Sequence, residues 1–348
     1  MKQYTHAHFI LRCLEIARNG GQKVSPNPMV GSVLVENNEI IGEGFHAEYG
    51  KAHAEVNAFS SVKKENFHRI DNAILYVSLE PCNIFGKTPP CTSLVLDKKV
   101  KKVVISTQDV SPEVNGNGVK KLTNGGIEVI KGVLEASGKS LVKQRSVFVT
   151  QKRPYTILKL AISEDVFYAS NEKVNTWLSS PVTSRLTHKW RAEADAILVG
   201  YNTAVIDNPL LDTRYFPGKN PLKYVLDKHN SLPDNLHLFN EPDVGKRFTL
   251  KSKHKNDVQI GLDKNQSLDL NEISSYFYNQ NIGSLLVEGG GKLIQSYLNS
   301  NLWDELRLIR TKKRLKEGKE IHFKNLHKSA SYILGDDVIE IYLREETR

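Results

Sequence analysis

The chain has 348 residues, of which 39% are hydrophobic and 25% charged, with a net charge of +9. That length favours two folded domains over one, and the profile is that of an ordinary globular protein able to bury two cores. Only three cysteines, no run of eighteen apolar residues, and an N-terminal apolar stretch interrupted by Arg12, Glu15 and Arg18 argue against a disulfide-stapled secreted scaffold, a membrane span and a signal peptide.

Ala7, Ile10, Leu11, Leu14 and Ala17 recur at helical spacing and predict an amphipathic helix ended by Gly20-Gly21, with Cys13 in its apolar stripe as a core residue. Pro26-Asn27-Pro28-Met29-Val30-Gly31 follows as a rigid entry loop. Residues 30–35 and 39–44 flank Asn37-Asn38 and read as a hairpin. Residues 52–62 read as a helix that carries His53 and Glu55. Residues 73–78 form a short apolar strand running into Leu79-Glu80-Pro81-Cys82, which puts Cys82 at a strand-to-helix junction facing the His53 helix. Residues 102–106 and 127–131 are further strands, with Asn115-Gly116-Asn117-Gly118 as a turn between them. Up to about residue 145 the chain alternates strand and helix around one sheet. Residues 143–154 are polar and basic, and Pro154 breaks any helix there, so the domain boundary is expected nearby, with domains 1–147 and 148–348.

A second alternating unit begins with the strand Tyr155–Ile162. Ser180-Pro181 opens a helix whose first turn suits proline. Residues 196–200, 222–226 and 285–287 are strands. The last leads into Glu288-Gly289-Gly290-Gly291 and a helix over 292–298. A glycine loop between an apolar strand and a helix N-terminus is a place for phosphate. The run lacks G-x-G-x-x-G spacing, so a plain tight turn stays open as the other reading. The basic run 310–319 reads as a solvated edge, and no internal repeat is apparent.

His53, Cys82 and Cys91 supply one imidazole and two thiolates, the ligand set zinc prefers, and three protein ligands leave a fourth tetrahedral position open. A water in that position has its pKa lowered to about 7. Glu55, two residues after His53, is placed to carry its proton to a leaving amine. His-x-Glu followed by Pro-Cys and a second Cys is the general zinc-deaminase signature, although eight residues rather than two separate the cysteines here. A purely structural zinc site, the reading for a binding protein without chemistry, usually has four protein ligands and does not require an acid at position 55.

These motifs resemble the bifunctional riboflavin-biosynthesis deaminase/reductase family along nearly the whole chain. The first half carries the 26–31 loop, His53-Ala54-Glu55-Val56-Asn57-Ala58, Leu79-Glu80-Pro81-Cys82 and Gly86-Lys87-Thr88-Pro89-Pro90-Cys91, with the family's own cysteine spacing. The second carries Lys159-Leu160-Ala161, Ser163 and Asp165, Trp177-Leu178-Ser179-Ser180-Pro181, Arg191-Ala192, Asp195 to Gly200, Thr203, Asp207-Asn208-Pro209-Leu210-Leu211, Arg214 and Val287-Glu288-Gly289-Gly290. The resemblance implies an N-terminal cytidine-deaminase-like three-layer α/β/α domain and a C-terminal dihydrofolate-reductase-like α/β domain. It implies zinc on His53, Cys82 and Cys91, Glu55 as proton shuttle, and Asn27, His46 and Lys87 on the pyrimidine nucleotide. It further implies NADPH at Ala161, Trp177, Thr203, Asp207, Gly290 and Gly291, and substrate at Asn175, Arg191, Leu211, Arg214 and Glu288. The two arginines suit a substrate phosphate. The implied reactions are hydrolytic deamination of 2,5-diamino-6-(5-phosphoribosylamino)pyrimidin-4(3H)-one and reduction of its ribosyl group to ribityl. Three cysteines, two of them assigned to metal, read as a reduced, cytoplasmic pattern, and a homo-oligomer without nucleic-acid or membrane partners is expected.

The chain departs from the family at three places. Asn83-Ile84 stands where Ser-His is usual. Val166 replaces the glycine of Ser-x-Asp-Gly, and a stiff valine disfavours positive φ. Arg310-Thr311-Lys312-Lys313 replaces an apolar, proline-containing segment. A deaminase for another nucleotide or for RNA, with a degenerate second domain, is the alternative. The charge of +9 permits it, yet no aromatic-rich basic stretch offers bases a stacking platform.

Overall fold

The computed structural model describes residues 4–172, 177–240, 242–323 and 326–344. The chain divides into two units, Met1–Lys152 and Arg153–Arg348. In the first, helix α1 (His6–Ala17) precedes strands β1 (Gly31–Glu36) and β2 (Glu39–Phe45). They are followed by α2 (Ala54–Ser61), β3 (Ile74–Leu79), α3 (Cys91–Asp97), β4 (Lys102–Thr107), α4 (Asn117–Asn124), β5 (Glu128–Lys131) and α5 (Glu135–Gln151). The sheet order is β2-β1-β3-β4-β5, antiparallel from β2 to β3 and parallel from β3 to β5.

Alternation along the strands makes the layers. Val33 and Val35, Tyr76 and Val104 point to the face covered by Phe9, Ile10, Cys13 and Leu14 of α1. Leu34, Leu75, Val77, Val103 and Ile105 point to the opposite face, against Phe59 of α2, Val95 of α3 and Leu122 of α4. Cys13 is core, and burial pushes its thiol pKa well up. The ligand-bearing ends of α2 and α3 lie on that second face, where β3 runs out at Leu79.

Two expectations are corrected. The basic stretch read as a boundary is mostly helix: α5 runs to Gln151, burying Gly138, Val142 and Phe148 and leaving residues 143–147 half-buried. The two compact units meet at Lys152/Arg153, after a left-handed Lys152 (φ 51°) and just before Pro154. Asn115 to Gly118 is not a simple turn between strands but the entry to α4, with Gly116 at φ 86°.

The second unit comprises β6 (Tyr155–Ile162), β7 (Phe167–Ala169), α6 (Pro181–Ala192), β8 (Ala196–Gly200), α7 (Tyr201–Asp207), β9 (Leu222–Leu226), β10 (Lys246–Thr249) and β11 (Val258–Gln259). After these come α8 (Leu270–Asn279), β12 (Ser284–Glu288), α9 (Gly291–Leu298), β13 (Glu305–Arg310), β14 (Lys319–Glu320), β15 (His327–Leu334) and β16 (Asp337–Leu343). Its main sheet runs β11-β10-β9-β8-β12-β6-β13-β16-β15, parallel from β11 to β13 and antiparallel beyond. Leu158, Leu160 and Ile162 of β6 pack with Leu285, Val287, Phe277 and Tyr297 in one core. The alternate residues Ile157, Lys159 and Ala161 face the other way. Ser180 caps α6, accepting from the Thr183 N–H at 3.3 Å, with Pro181 in the first turn. Strand order reverses where β12 is inserted between β6 and β8, which opens a crevice at their carboxyl ends.

The run 310–319 is exposed over most of its length, as a solvated edge is, but both of its ends are paired. Arg310 ends β13 and pairs with Glu340, and Lys319 begins β14, which pairs antiparallel with β7. Val166 does sit at φ 68°. The turn keeps the glycine-type conformation, because Ser163 and Phe167 bond across it in both directions (Ser163 N to Phe167 O 2.8 Å, Phe167 N to Ser163 Oγ 3.0 Å).

Candidate functional site

His53 is the N-cap of α2, Cys82 follows the end of β3, and Cys91 opens α3. Their ligand atoms lie within 4.8 Å of one another. His53 Nδ1 is 3.3 Å from Cys91 Sγ and 3.5 Å from Cys82 Sγ. A tetrahedral ion with Zn–N near 2.0 Å and Zn–S near 2.3 Å requires N···S separations of about 3.5 Å, so the set fits zinc. The other ring nitrogen, Nε2, lies 3.4 Å from Thr88 Oγ1, which leaves Nδ1 for the metal. Hydrogen bonding from Cys91 and then His53 draws the Cys82 thiol down, while the same pairing and burial push the Cys91 thiol up, so the pair shares one thiolate charge beside His53. Glu55 is 3% exposed in the first turn of the same helix. Burial, reinforced by the Cys82 thiolate, raises its pKa, the direction a proton carrier near neutral pH needs.

A cavity of about 280 Å³ opens beside these groups and is lined also by Asn27, His46, Lys87 and Ile84. His46 Nδ1 donates to the Ala52 carbonyl at 3.0 Å, so its Nε2 accepts from Asn27 Nδ2 at 3.2 Å, and burial lowers its pKa. The imidazole is thus held neutral with Asn27 at the cavity wall. The Lys87 ammonium stands 4.1 Å over the Tyr49 ring.

One residue the sequence reading passed over positions Cys82. Glu80 is 3% exposed, and its carboxylate accepts from the N–H groups of Asp109 (3.3 Å), Gly116 (3.0 Å) and Val119 (3.0 Å). It thereby ties the β3 exit to the start of α4. Gly118 is required there: a Cβ would lie 2.2 Å from the Pro81 carbonyl oxygen. The signal was present as a buried-type acid beside Pro81-Cys82 and an Asn-Gly-Asn-Gly string, but nothing in one sequence links the two across 36 residues.

In the second unit a crevice of about 1510 Å³ lies at the carboxyl ends of β6, β8 and β12. It brings together Ala161, Trp177, Thr203, Asp207, Gly290 and Gly291 with Arg191, Leu211, Arg214 and Glu288. Asn175 lies outside the described residues. Gly290 N–H donates to Thr203 Oγ1 at 3.0 Å, joining the glycine loop to α7. Leu211 is buried at φ 53°, a strained conformation of the kind that clusters at ligand sites. Arg191 is not a free phosphate fork: Nε and Nη2 each reach Glu288 at 2.8 Å, and Nη1 reaches the Asp212 carbonyl at 3.2 Å. Burial pushes Glu288 up, yet Arg191 outweighs it and holds the carboxyl below its usual range. Arg214 pairs with Asp212 and is the more exposed of the two arginines. Lys159, given no role from sequence, also lines the crevice, and burial lowers its pKa against a partial offset from Glu288.

The cytidine and deoxycytidylate deaminase zinc-binding region matches residues 3–107, and the RibD C-terminal domain matches residues 154–311. The riboflavin biosynthesis protein RibD of Aquifex aeolicus is 33% identical over 320 residues, covering 90% of this chain and 89% of its own. The chain belongs to the RibD family. A solved diaminohydroxyphosphoribosylaminopyrimidine deaminase/5-amino-6-(5-phosphoribosylamino)uracil reductase from Thermotoga maritima has TM-score 0.88 at 33% identity, covering 97% of this chain and 98% of that one. RibD of Acinetobacter baumannii has TM-score 0.86 at 25% identity, covering 98% and 99%. The chain is accordingly a zinc-dependent deaminase joined to an NADPH-dependent reductase of riboflavin biosynthesis, and a degenerate second domain is not favoured. RibD enzymes act on a phosphorylated pyrimidine. No helix among the described residues is long and apolar enough to cross a membrane.

Proposed function

We propose that the 1–152 unit removes the 2-amino group of a diaminopyrimidinone ribosyl phosphate as ammonia, and that the 153–348 unit reduces the ribosyl carbon skeleton to ribityl phosphate. The observation that carries the deaminase half is a single imidazole nitrogen facing two sulfurs, with the buried acid Glu55 on the same turn. His53, Cys82 and Cys91 would hold zinc, which when bound supplies Lewis acidity and lowers the pKa of a ligating water to about 7. Glu55 takes the proton and returns it to the departing amine. Asn27 and His46, fixed against each other, orient the pyrimidine, and Lys87 meets the ribosyl phosphate end.

In the second crevice NADPH supplies hydride, and the protein supplies placement. Thr203, Gly290 and Gly291 would lie along the dinucleotide phosphates, with Ala161, Trp177 and Asp207 beside the remainder. Arg214, the arginine with fewer commitments, meets the substrate phosphate, and Leu211 completes that pocket. The Arg191–Glu288 pair keeps a charged carboxylate next to Lys159, which is placed to give a proton to the oxygen of the carbonyl being reduced. The reading includes a cytoplasmic homo-oligomer that needs neither nucleic acid nor membrane. Cys82→Ser and Cys91→Ser should each lose zinc and deamination while NADPH binding persists. Arg214→Ala should raise the KM for phosphorylated substrate far more than the Kd for NADPH. Full zinc retention in both cysteine variants would overturn the ligand assignment.

A further inference from the structure

The three glycines after β12 are not equivalent. None lies at positive φ, so backbone conformation does not call for glycine at any of them. A Cβ at Gly290 would meet only Thr203 Oγ1 at 3.7 Å, and one at Gly289 would make an ordinary contact with Leu293 at 3.4 Å. A Cβ at Gly291 would lie 2.2, 2.4 and 2.9 Å from Cε1, Cζ and Cδ1 of Tyr168. The tyrosine ring already fills the space over the first residue of α9.

Tyr168 is held there from two sides. It stands in β7, directly after the turn in which Val166 takes φ 68°. The turn is fastened to the 313–316 segment: Asp165 accepts from Leu315 N at 3.1 Å and Lys316 N at 2.7 Å, and Glu164 N donates to the Lys313 carbonyl at 2.8 Å. β7 then pairs with β14, where a Cβ on Gly318 would come within 2.4 Å of the Ala169 carbonyl oxygen. Tyr168, Lys319 and Gly291 all border the crevice.

We propose that Tyr168 is a positioning residue of the cofactor site: its ring, carried on a strand clasped by the 313–320 segment, seats the 289–291 loop so that the loop meets the dinucleotide phosphates in one arrangement. Gly291 is then glycine because Tyr168 is tyrosine. The inference rests on the reading that this loop lies along NADPH.

The test is NADPH titration of the intact protein, followed by nicotinamide fluorescence without turnover, for four variants, with zinc content as a check on the other unit. Tyr168→Phe keeps the ring and should bind within about twofold of the parent. Tyr168→Ala frees the loop and should raise Kd about tenfold, the size of losing one well-packed aromatic contact. Gly291→Ala should raise Kd at least as much, because the ring stands in the way. In the double variant Tyr168→Ala/Gly291→Ala the added methyl should cost less than about twofold beyond Tyr168→Ala alone. In turnover the loss should appear in the KM for NADPH, with kcat nearly unchanged. Additive effects in the double variant, or parent affinity in Tyr168→Ala, would overturn the proposal. Should Gly291→Ala fail to fold, equal affinities of Tyr168→Ala and Tyr168→Phe would do the same. No NADPH binding to the parent would instead refute the loop's assignment.

Discussion

Glu80 lets the zinc site be tested through a residue that does not touch the metal. Its carboxylate satisfies three half-buried backbone N–H groups, and its own main chain leads two residues on to Cys82. Glu80→Ala leaves those donors without a partner. At about 1 kcal/mol per orphaned group, the low end for half-buried donors that water can reach, the local cost is about 3 kcal/mol, enough to loosen the start of α4 from the 80–82 segment. Glu80→Gln keeps one acceptor oxygen, so Asp109 and Gly116 can stay bonded while the Val119 N–H faces an amide, at about 1 kcal/mol. Outer partners of metal ligands typically carry a 10–100-fold effect on affinity, so Glu80→Ala should fall toward the upper end of that range and Glu80→Gln near the lower. Competition with a chromophoric chelator reads the zinc affinity, and NADPH titration reads the untouched second unit. If Glu80→Ala binds zinc as tightly as the parent, the carboxylate does not position Cys82 and the reasoning fails.

Other perturbations follow from the same geometry. Glu55→Gln should keep zinc and lose about 10²–10⁴-fold in ammonia release; undiminished turnover would remove Glu55 from the proton path. Val166→Gly should relieve a left-handed valine worth about 1–2 kcal/mol against an entropic cost of about 0.5–1 kcal/mol. The second unit's thermal midpoint should therefore hold or rise, and a clear fall would show that the valine side chain contributes more than its strain costs. Asp165, held down to about 2 first by Ser163 and then by the Leu315 and Lys316 N–H groups, stabilises the clasp above the usual aspartate range near 3.8. That contribution should disappear as pH falls through about 2. Amide-exchange protection at Leu315 and Lys316 should drop in that window, and protection unchanged to pH 2 would show that Asp165 is not the fastener.

The parts of this molecule that could be read from sequence are those in which one short segment carries its own signal. Ser180-Pro181 announced a capped helix start, alternating valines and leucines announced β1, β3 and β4, and Pro81-Cys82 announced a ligand at a strand end. Val166 was legible for the same reason, since a β-branched residue at a glycine position is a local contradiction. What stayed hidden depends on partners far along the chain. Glu80 looks like any acid until Gly116 and Val119 are seen donating to it. Arg191 looks like a phosphate ligand until Glu288, 97 residues on, closes around it. The basic segment 310–319 is exposed as its composition suggests, but the pairing of Lys319 with β7 at its end is not legible in it. Composition misled at residues 143–154 because a half-buried helix rich in Lys, Gln and Arg, such as α5, has the polarity of a linker.

The central claim, that one chain deaminates and then reduces the same phosphorylated pyrimidine through two separate sites, is tested by stoichiometry. The diaminopyrimidinone ribosyl phosphate is given to the intact protein, and ammonia and NADPH are followed together. With zinc bound and NADPH omitted, one ammonia should be released per substrate and the ribosyl product should accumulate. On adding NADPH, one equivalent should be oxidised per ammonia already formed. With zinc removed by chelator, neither signal should develop from this substrate, while the isolated deaminated intermediate should still consume NADPH. Ammonia release without subsequent NADPH oxidation, or NADPH oxidation without ammonia from the diamino substrate, would contradict the account.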